Sequence, residues 1–480
     1  MSSTPDQQIT PPPPEAWPRA RRLAQTVAQP LERFVRIEAS SGIILLTTAV
    51  VAIVWANSPW AESYHALWRT PLTLGLGSWV FQRDLHFWIN DFLMAIFFLV
   101  VGLEIKRELA EGALSGLKRA ALPVAAALGG MLVPALLFFA FNASGPGRTG
   151  WGVPMATDIA FAVGILTLLG SRVPATLRVL LLAVAIIDDI GAIVVIAIFY
   201  SGGIDISALI WVGAGIFGIF ALQRIGVRPG FVFAIPGIVL WAGMLQFGVH
   251  PTIAGVIIGL MTPVKPWYGK EGFLRAARKA IDDFQLSVDH PDHGDHELLE
   301  PLGRLDRARR EAISPVKRIE ASLHPWVAFG IMPLFALANA GVTISGVQLG
   351  DPTSLAVFMG VALGLVVGKP LGIVGFSWVS IRLGLCMLPQ GVTWAGMYVV
   401  GAAGGIGFTM AIFIGELAFS DAMLTVGKLG VLVGTIVASA LALTAGVVLL
   451  PKRRAKEVGE ITLSDAERKP VYWTKREGGE

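Results

Sequence analysis

Asp158, Asp188, Asp189 and Lys369 interrupt stretches of sequence that are otherwise almost wholly apolar. An ionisable side chain at the centre of a membrane helix costs at least roughly 2.5 to 3.5 kcal/mol, so four of them mark a place where charge is used. Asp158 stands in Trp151-Gly-Val-Pro-Met-Ala-Thr157-Asp158-Ile. Gly152 and Pro154 weaken a helix there and release backbone carbonyls beside the hydroxyl of Thr157 and the carboxylate. Such a set of oxygens suits a hard cation such as sodium. Asp188 and Asp189 are neighbours in Ile-Ile-Asp-Asp-Ile-Gly, and on a helix adjacent residues point about 100° apart. One can join Asp158 while the other reaches Lys369, the intramembrane cation; the spacing leaves open which does which. A static ion-paired brace would also use these residues, but three acids against one base leave carboxylates that only an exchangeable cation or proton can neutralise. Proton binding then competes directly with cation binding, because crowded carboxylates in low dielectric titrate together. A site that holds either, and opens alternately to each side, is an exchanger.

The elements that must position these groups are membrane helices. The chain has 480 residues, 54% hydrophobic and 15% charged, with mean hydropathy +0.66. Soluble chains carry about 25% charged residues, so this composition implies an all-α polytopic membrane protein. Ten clear windows long enough to cross roughly 30 Å of hydrocarbon lie near residues 37–55, 86–105, 119–141, 149–170, 174–200, 205–223, 323–342, 354–378, 392–416 and 424–450. The run from Phe231 to Met261 is divided by Gln246-Phe247-Gly248-Val249-His250-Pro251 and reads as two short spans, giving about twelve.

Basic residues test that count. With both termini inside, the inner loops and tails hold 33 of the 38 lysines and arginines, against Arg69, Arg83 and Arg148 outside. Lys428 lies at a span edge and Lys369 within the membrane. Were the Phe231 to Met261 run a single span, the loop over 265–322 with its eleven basic residues would fall outside and break the positive-inside rule. The pI near 9.2 is therefore topological and implies no nucleic acid. Cys386 is the single cysteine, which excludes an internal disulfide and a cysteine metal cluster; no resident cofactor is expected.

The organisation expected is a disordered inner tail over 1–36, with its Pro11 to Pro14 cluster, a twelve-span domain over 37–450 and an inner tail over 451–480. Pro71 to Phe81 alternates around Gly77-Ser78 and predicts a small exterior β-hairpin. In the long inner loop, Phe273, Leu274, Ala277, Ile281 and Phe284 recur at helical spacing among Arg275, Arg278 and Lys279, as in an interfacial amphipathic helix against membrane lipid. The string His290-Pro-Asp-His293-Gly-Asp-His296 has metal-ligand residue types but is broken by proline and glycine, as a solvated loop is. Gly401-Ala-Ala-Gly404-Gly405-Ile-Gly407-Phe-Thr409 interrupts span eleven as Gly152 and Pro154 interrupt span four. Each is the middle of a three-span set, spans 3–5 and 10–12, and the sets would run inverted. Paired interrupted helices crossing at mid-membrane point to an inverted-repeat transporter.

Several motifs resemble those of NhaA-type bacterial sodium/proton antiporters: Asn90-Asp91-Phe-Leu-Met-Ala-Ile-Phe-Phe-Leu-Val-Val-Gly-Leu-Glu104-Ile-Lys-Arg-Glu108-Leu, Ala-Thr157-Asp158-Ile-Ala-Phe, Ile-Ile-Asp188-Asp189-Ile-Gly-Ala, Leu-His324-Pro-Trp-Val-Ala and Gly-Lys369-Pro-Leu-Gly. They occur in the family's order over about residues 32 to 450. The resemblance implies that Asp158, Thr157 and Asp189 approach a sodium or lithium ion, and that Asp188 pairs with Lys369 in a pair that breaks or titrates during the cycle. It also implies electrogenic, pH-regulated exchange of exported sodium for incoming protons across the bacterial inner membrane, and a homodimer through the exterior hairpin. The matched pH-sensing candidates are Glu104, Glu108, His250 and Glu320. Glu104 and Glu108 would also form an ordinary charge cluster with Lys106 and Arg107, and Glu320 a surface pair with Lys317 or Arg318. Asp91, at the outer start of span two, could line the ion path or merely begin a helix. The segment Asp282 to Glu300 and the N-terminal tail exceed the family's compact pattern.

Other function classes fit less well. An intramembrane aspartyl protease needs one acid from each of two helices and has no use for Lys369. A sodium-coupled solute symporter, the nearest alternative, needs room for a solute, and a passive channel needs no competing protonation.

Overall fold

Apolar sequence in a bilayer must satisfy its own backbone hydrogen bonds, and here it does so as helices. The computed structural model describes residues 38–452 apart from 78, 113, 204, 228–229, 290–294 and 345–349; the expected tails over 1–36 and 453–480 lie outside the described residues. Helix α1, Glu38–Ala56, is followed by α2, Ala61–Trp68, which turns 115° away from it. Strands β1, Pro71–Leu76, and β2, Trp79–Asp84, then pair antiparallel with Pro71 opposite Asp84 and Leu76 opposite Trp79. This is the expected hairpin, its second strand running three residues beyond Phe81. Gly77 takes φ +62° at the turn, a left-handed conformation that glycine adopts without a Cβ clash.

The Asp84 side chain accepts a hydrogen bond from Phe87 N–H at 2.8 Å and so caps α3, Leu85–Glu111, which widens to a π-helical turn at Trp88–Leu93. Next come α4, Leu117–Phe141; a 3-10 segment, Pro146–Met155, leading into α5, Ile159–Leu168; α6, Ala175–Phe199; α7, Leu209–Ile225; α8, Ala234–Phe247; and α9, Thr252–Met261. Helices α10, Gly269–Asp289, and α11, Asp295–Glu311, precede α12, Pro315–Asn339, and α13, Pro352–Arg382. The chain ends with α14, Trp394–Gly404, α15, Phe408–Ala418, and α16, Asp421–Leu449.

Among the described residues, eight helices are long and apolar enough to cross a membrane, and eleven spans result if each of three bent pairs counts once. Two of those pairs, Pro146–Met155 with α5 and α14 with α15, bend by 47°. The expected twelve is not reached by this measure because α9 has only ten residues, about half of what a straight crossing needs. The Phe231 to Met261 run does divide at the foreseen turn, between α8 and α9.

One large core joins side chains such as Leu45, Phe138, Leu181, Phe335, Ile373, Val400 and Phe413. A smaller one, with Val212, Ile219, Leu240 and Trp241, is built from α7, α8 and α9. Outward faces remain apolar: Ile210, Phe217 and Ile235 are exposed, the reverse of a surface meant for water. Helices α4 and α13 touch backbone to backbone. A Cβ on Gly372 would lie 2.0 Å from the Gly129 carbonyl oxygen, and one on Gly129 2.1 Å from that of Gly372.

The inner-loop region is more ordered than its composition suggested. Helix α10 has the expected amphipathic register, with Ala277 and Ala280 buried and Leu274, Ile281 and Val288 exposed. The polar stretch after it forms α11 instead of open loop, and Arg304 ties the two helices by contacting Asp283 at 2.7 Å and Glu300 at 2.6 Å. Helical i, i+4 charge pairs such as Glu300 with Arg304 explain how so polar a segment holds a helix. Of the three histidines considered for metal, His290 and His293 lie outside the described residues, as does the side chain of His296.

Candidate functional site

The two helix breaks meet each other. Ala156 to Asp158 run extended between Met155 and Ile159, and Gly405 to Gly407 separate α14 from α15. Asp158 N–H donates to the Ile406 carbonyl at 2.7 Å, and the Thr157 hydroxyl lies 2.8 Å from the Gly404 carbonyl. Groups freed by one break are thus satisfied by the other, as a dry interior requires.

The Asp158 carboxylate sits between two helix N-termini. Its Oδ1 accepts from Phe161 N–H at 3.0 Å, in the first turn of α5. Its Oδ2 accepts from Thr409 N–H at 3.2 Å and from the Thr409 hydroxyl, in the first turn of α15. Both helix dipoles therefore favour the anion.

Asp188 and Asp189 are carried by α6 and are both buried. Lys369 Nζ donates to Asp188 Oδ2 at 2.5 Å, with neither side chain exposed to solvent. The Thr157 hydroxyl is 2.9 Å from the same oxygen and accepts from Lys369 Nζ at 3.0 Å. Lys369 follows a π-helical turn, Gly364–Gly368, on α13; there the missing N–H of Pro370 is tolerated. Of the two neighbouring acids, Asp188 is thus the one paired with Lys369, which the spacing left open. Asp189 points elsewhere, as a 100° rotation dictates. Its Oδ1 has no hydrogen-bond partner among the described residues, and the charges acting on it are Glu104, Asp188 and Asp158, with Lys369 as the counterweight.

Asp158, Thr157, Asp188, Asp189 and Lys369 therefore come together; the other candidates form two separate groups. Arg107 Nη2 lies 3.7 Å from Glu104 and 3.3 Å from Glu108, while its Nη1 binds Glu320. Glu320 is thus committed across helices from α12 to α3, a different partner from the neighbouring Lys317 or Arg318. Lys317 pairs instead with Glu111. His250 lies in the turn between α8 and α9, at the end of the bundle that carries the hairpin. Its Nδ1 is 2.8 Å from the Thr252 hydroxyl and its Nε2 is 3.6 Å from Asp91 Oδ1. Burial pushes the imidazole down to about 4.

Three features escaped the sequence reading. Thr409, within a motif noted only for its glycines, reaches the central carboxylate. Asn90 and Asn339 bond each other at 2.8 Å, with His86 Nε2 3.0 Å from Asn339. Beside them Lys428 pairs with Glu416, which lies 3.7 Å from His86. That group opens on a cavity of about 370 Å³ at the hairpin end, lined also by Arg69, Asp84 and Thr343. Asn90 and Asn339 are 249 residues apart and His86 and Asn339 253, so no local signal announced it.

Comparison with known proteins gives concordant results. Residues 32–447 match the model of the family described as Na+/H+ antiporter 1. The protein named Na(+)/H(+) antiporter NhaA 2 of Sorangium cellulosum is 58% identical, over 96% of this chain and 98% of that one. A protein of the same name from Myxococcus xanthus is 56% identical over 90% and 92% of the two chains. Na(+)/H(+) antiporter NhaA of Cupriavidus necator is 52% identical over 91% and 94%.

Proposed function

The chain belongs to the Na+/H+ antiporter 1 family, and from that premise we propose that it exports sodium across a bacterial inner membrane in exchange for incoming protons. The observation that carries the mechanism is the meeting of three buried carboxylates with one lysine at two broken helices. Asp158 is hydrogen-bonded by two helix termini and Asp188 is paired with Lys369. Asp189 has open valence and is the group on which a proton and a cation compete. A sodium or lithium ion is held by Asp158, Asp189 and the Thr157 oxygen; when protons replace it, the carboxylates are neutralised and the site reopens to the other side. The Asp188–Lys369 pair loosens during that exchange, so charge moves with each cycle and transport is electrogenic. Antiport is favoured over solute symport because the relatives are named antiporters.

Counting each bent pair once and adding α9 gives twelve crossings, with α5 and the α14–α15 pair at the centres of inverted three-span sets. Positive charge places both termini and the α10–α11 pair on the inner side. The hairpin end is then outer, where β1 and β2 would meet a second copy and where Asp91 borders the ion path. Glu104, Glu108 and Glu320 report inner pH through Arg107, with His250 on the outer side.

In everted vesicles energised by respiration, added sodium or lithium should collapse the pH gradient, and Asp189→Asn should abolish the response. A gradient that survives sodium addition, with organic-solute uptake depending on sodium instead, would overturn the reading.

A further inference from the structure

Asp158 owes its geometry to the opposite broken helix as well as to its own. Its carboxylate accepts from Phe161 N–H on α5 and from both the N–H and the hydroxyl of Thr409 on α15. Thr409 is wholly buried. Its hydroxyl would find other acceptors in a helix, since threonine commonly bonds the carbonyl four residues back. Here it is spent on a carboxylate. A donor to a charged acceptor is worth about twice one between neutral groups, and in this dry interior no water replaces it.

We propose that Thr409 is a positioning residue of the ion site: by fixing the orientation of the Asp158 carboxylate it sets the affinity for the cation. The inference rests on the antiport reading and deepens it. The charges acting on Asp189, its partner in the site, are Glu104 on α3, Asp188 on α6 and Asp158, with Lys369 on α13 opposing them; Asp188 is occupied by Lys369. With Thr409 in place, the Asp158 carboxylate is held by donors from both broken helices and presents a fixed geometry to a cation. Without the hydroxyl, a donor to a buried charged acceptor is lost and the carboxylate is free to turn out of that geometry. The same hydrogen bonds link α15 to the break before α5, so the residue that positions the anion also joins the two broken helices.

The test is sodium/proton exchange by the full chain in proteoliposomes, as a function of sodium concentration and pH, for wild type, Thr409→Val and Thr409→Ser. Removing one donor to a buried charge should raise the apparent KM for sodium by about ten- to a hundredfold in Thr409→Val. Activity should recover at high sodium, since the variant loses affinity and not the transport step. Thr409→Ser, which keeps the hydroxyl, should stay close to wild type. Thr409→Ala carries the same test should valine prevent folding. Wild-type KM in the hydroxyl-free variants would overturn the proposal, as would a loss of kcat at unchanged KM, or a serine variant as impaired as valine. If wild type itself moves no protons on sodium addition, the antiport reading fails; if wild type exchanges and Asp189→Asn does not, only the assignment of Thr409 is at stake.

Discussion

The cluster around Lys369 and the cluster around Arg107 share an imbalance and differ in what surrounds it. In the first, Asp158, Asp188 and Asp189 face one lysine with every side chain buried. In the second, Glu104, Glu108 and Glu320 face one arginine whose side chain stays in partial contact with solvent. Excess negative charge beside water is screened and worth little. The same excess in a dry interior must be cancelled by hydrogen bonds, helix termini, a proton or a cation. Location therefore leaves the first cluster with charge that must be neutralised within the protein and the second with charge that water can screen.

Breaking the pair at the centre should have the largest consequence for folding. Lys369→Met leaves Asp188 as an uncompensated buried charge and should cost about 3 to 5 kcal/mol, read as a large fall in Tm of the purified protein. Adding Asp188→Asn should return much of that stability, since the orphan charge is then gone. If the double variant is no more stable than the single, the pair does not hold the interior together.

His250 supplies a smaller and pH-dependent effect. Burial pushes its imidazole down to about 4 in the fold from about 6.5 in the unfolded chain. The depressed value means that the unfolded state takes up a proton first as pH falls. The contribution of neutral His250 is therefore complete above about 6.5 and is lost progressively down to about 4. Over that interval wild type should lose roughly 2 to 3 kcal/mol that His250→Gln does not, measurable as a difference in the slope of Tm against pH. Parallel slopes would show that the fold does not depress the imidazole.

The smallest effect belongs to the Arg107 cluster. Glu320→Gln should cost about 1 kcal/mol or less, shift the pH profile of exchange and lose most of its effect in high salt, where the Lys369→Met defect should persist. A Glu320→Gln effect as large and as salt-resistant as that of Lys369→Met would erase the distinction between the two regions.

Much of this was legible before any coordinates. Apolar length marks the spans, and charges set against the composition mark Asp158, Asp188, Asp189 and Lys369, because hydrocarbon makes misplaced charge expensive. Local turn chemistry announces the hairpin at Gly77. What was illegible depends on packing. A helical rotation separates Asp188 from Asp189 but cannot say which faces Lys369. Thr409 lies 251 residues from the carboxylate it serves, and Glu320 reaches past adjacent basic residues to Arg107. Helix α11 owes its existence to charge pairs and to α10 beside it, neither of which a hydropathy reading weighs. The span total was blurred by α9, where length alone argues against a crossing and the placement of charge argues for one.

The contact between Gly129 and Gly372 gives the molecule a datum. Lys369 stands three residues, slightly less than one turn, before Gly372, and the facing surface of α4 is bare backbone rather than a compressible side chain. The height and rotation of the backbone that carries Lys369 are therefore referenced to peptide atoms. Alanine at either glycine would wedge the helices apart and carry the ammonium with them, although neither glycine touches an ion. The tolerance of the charge pattern is thus machined into a surface that contains no charge at all.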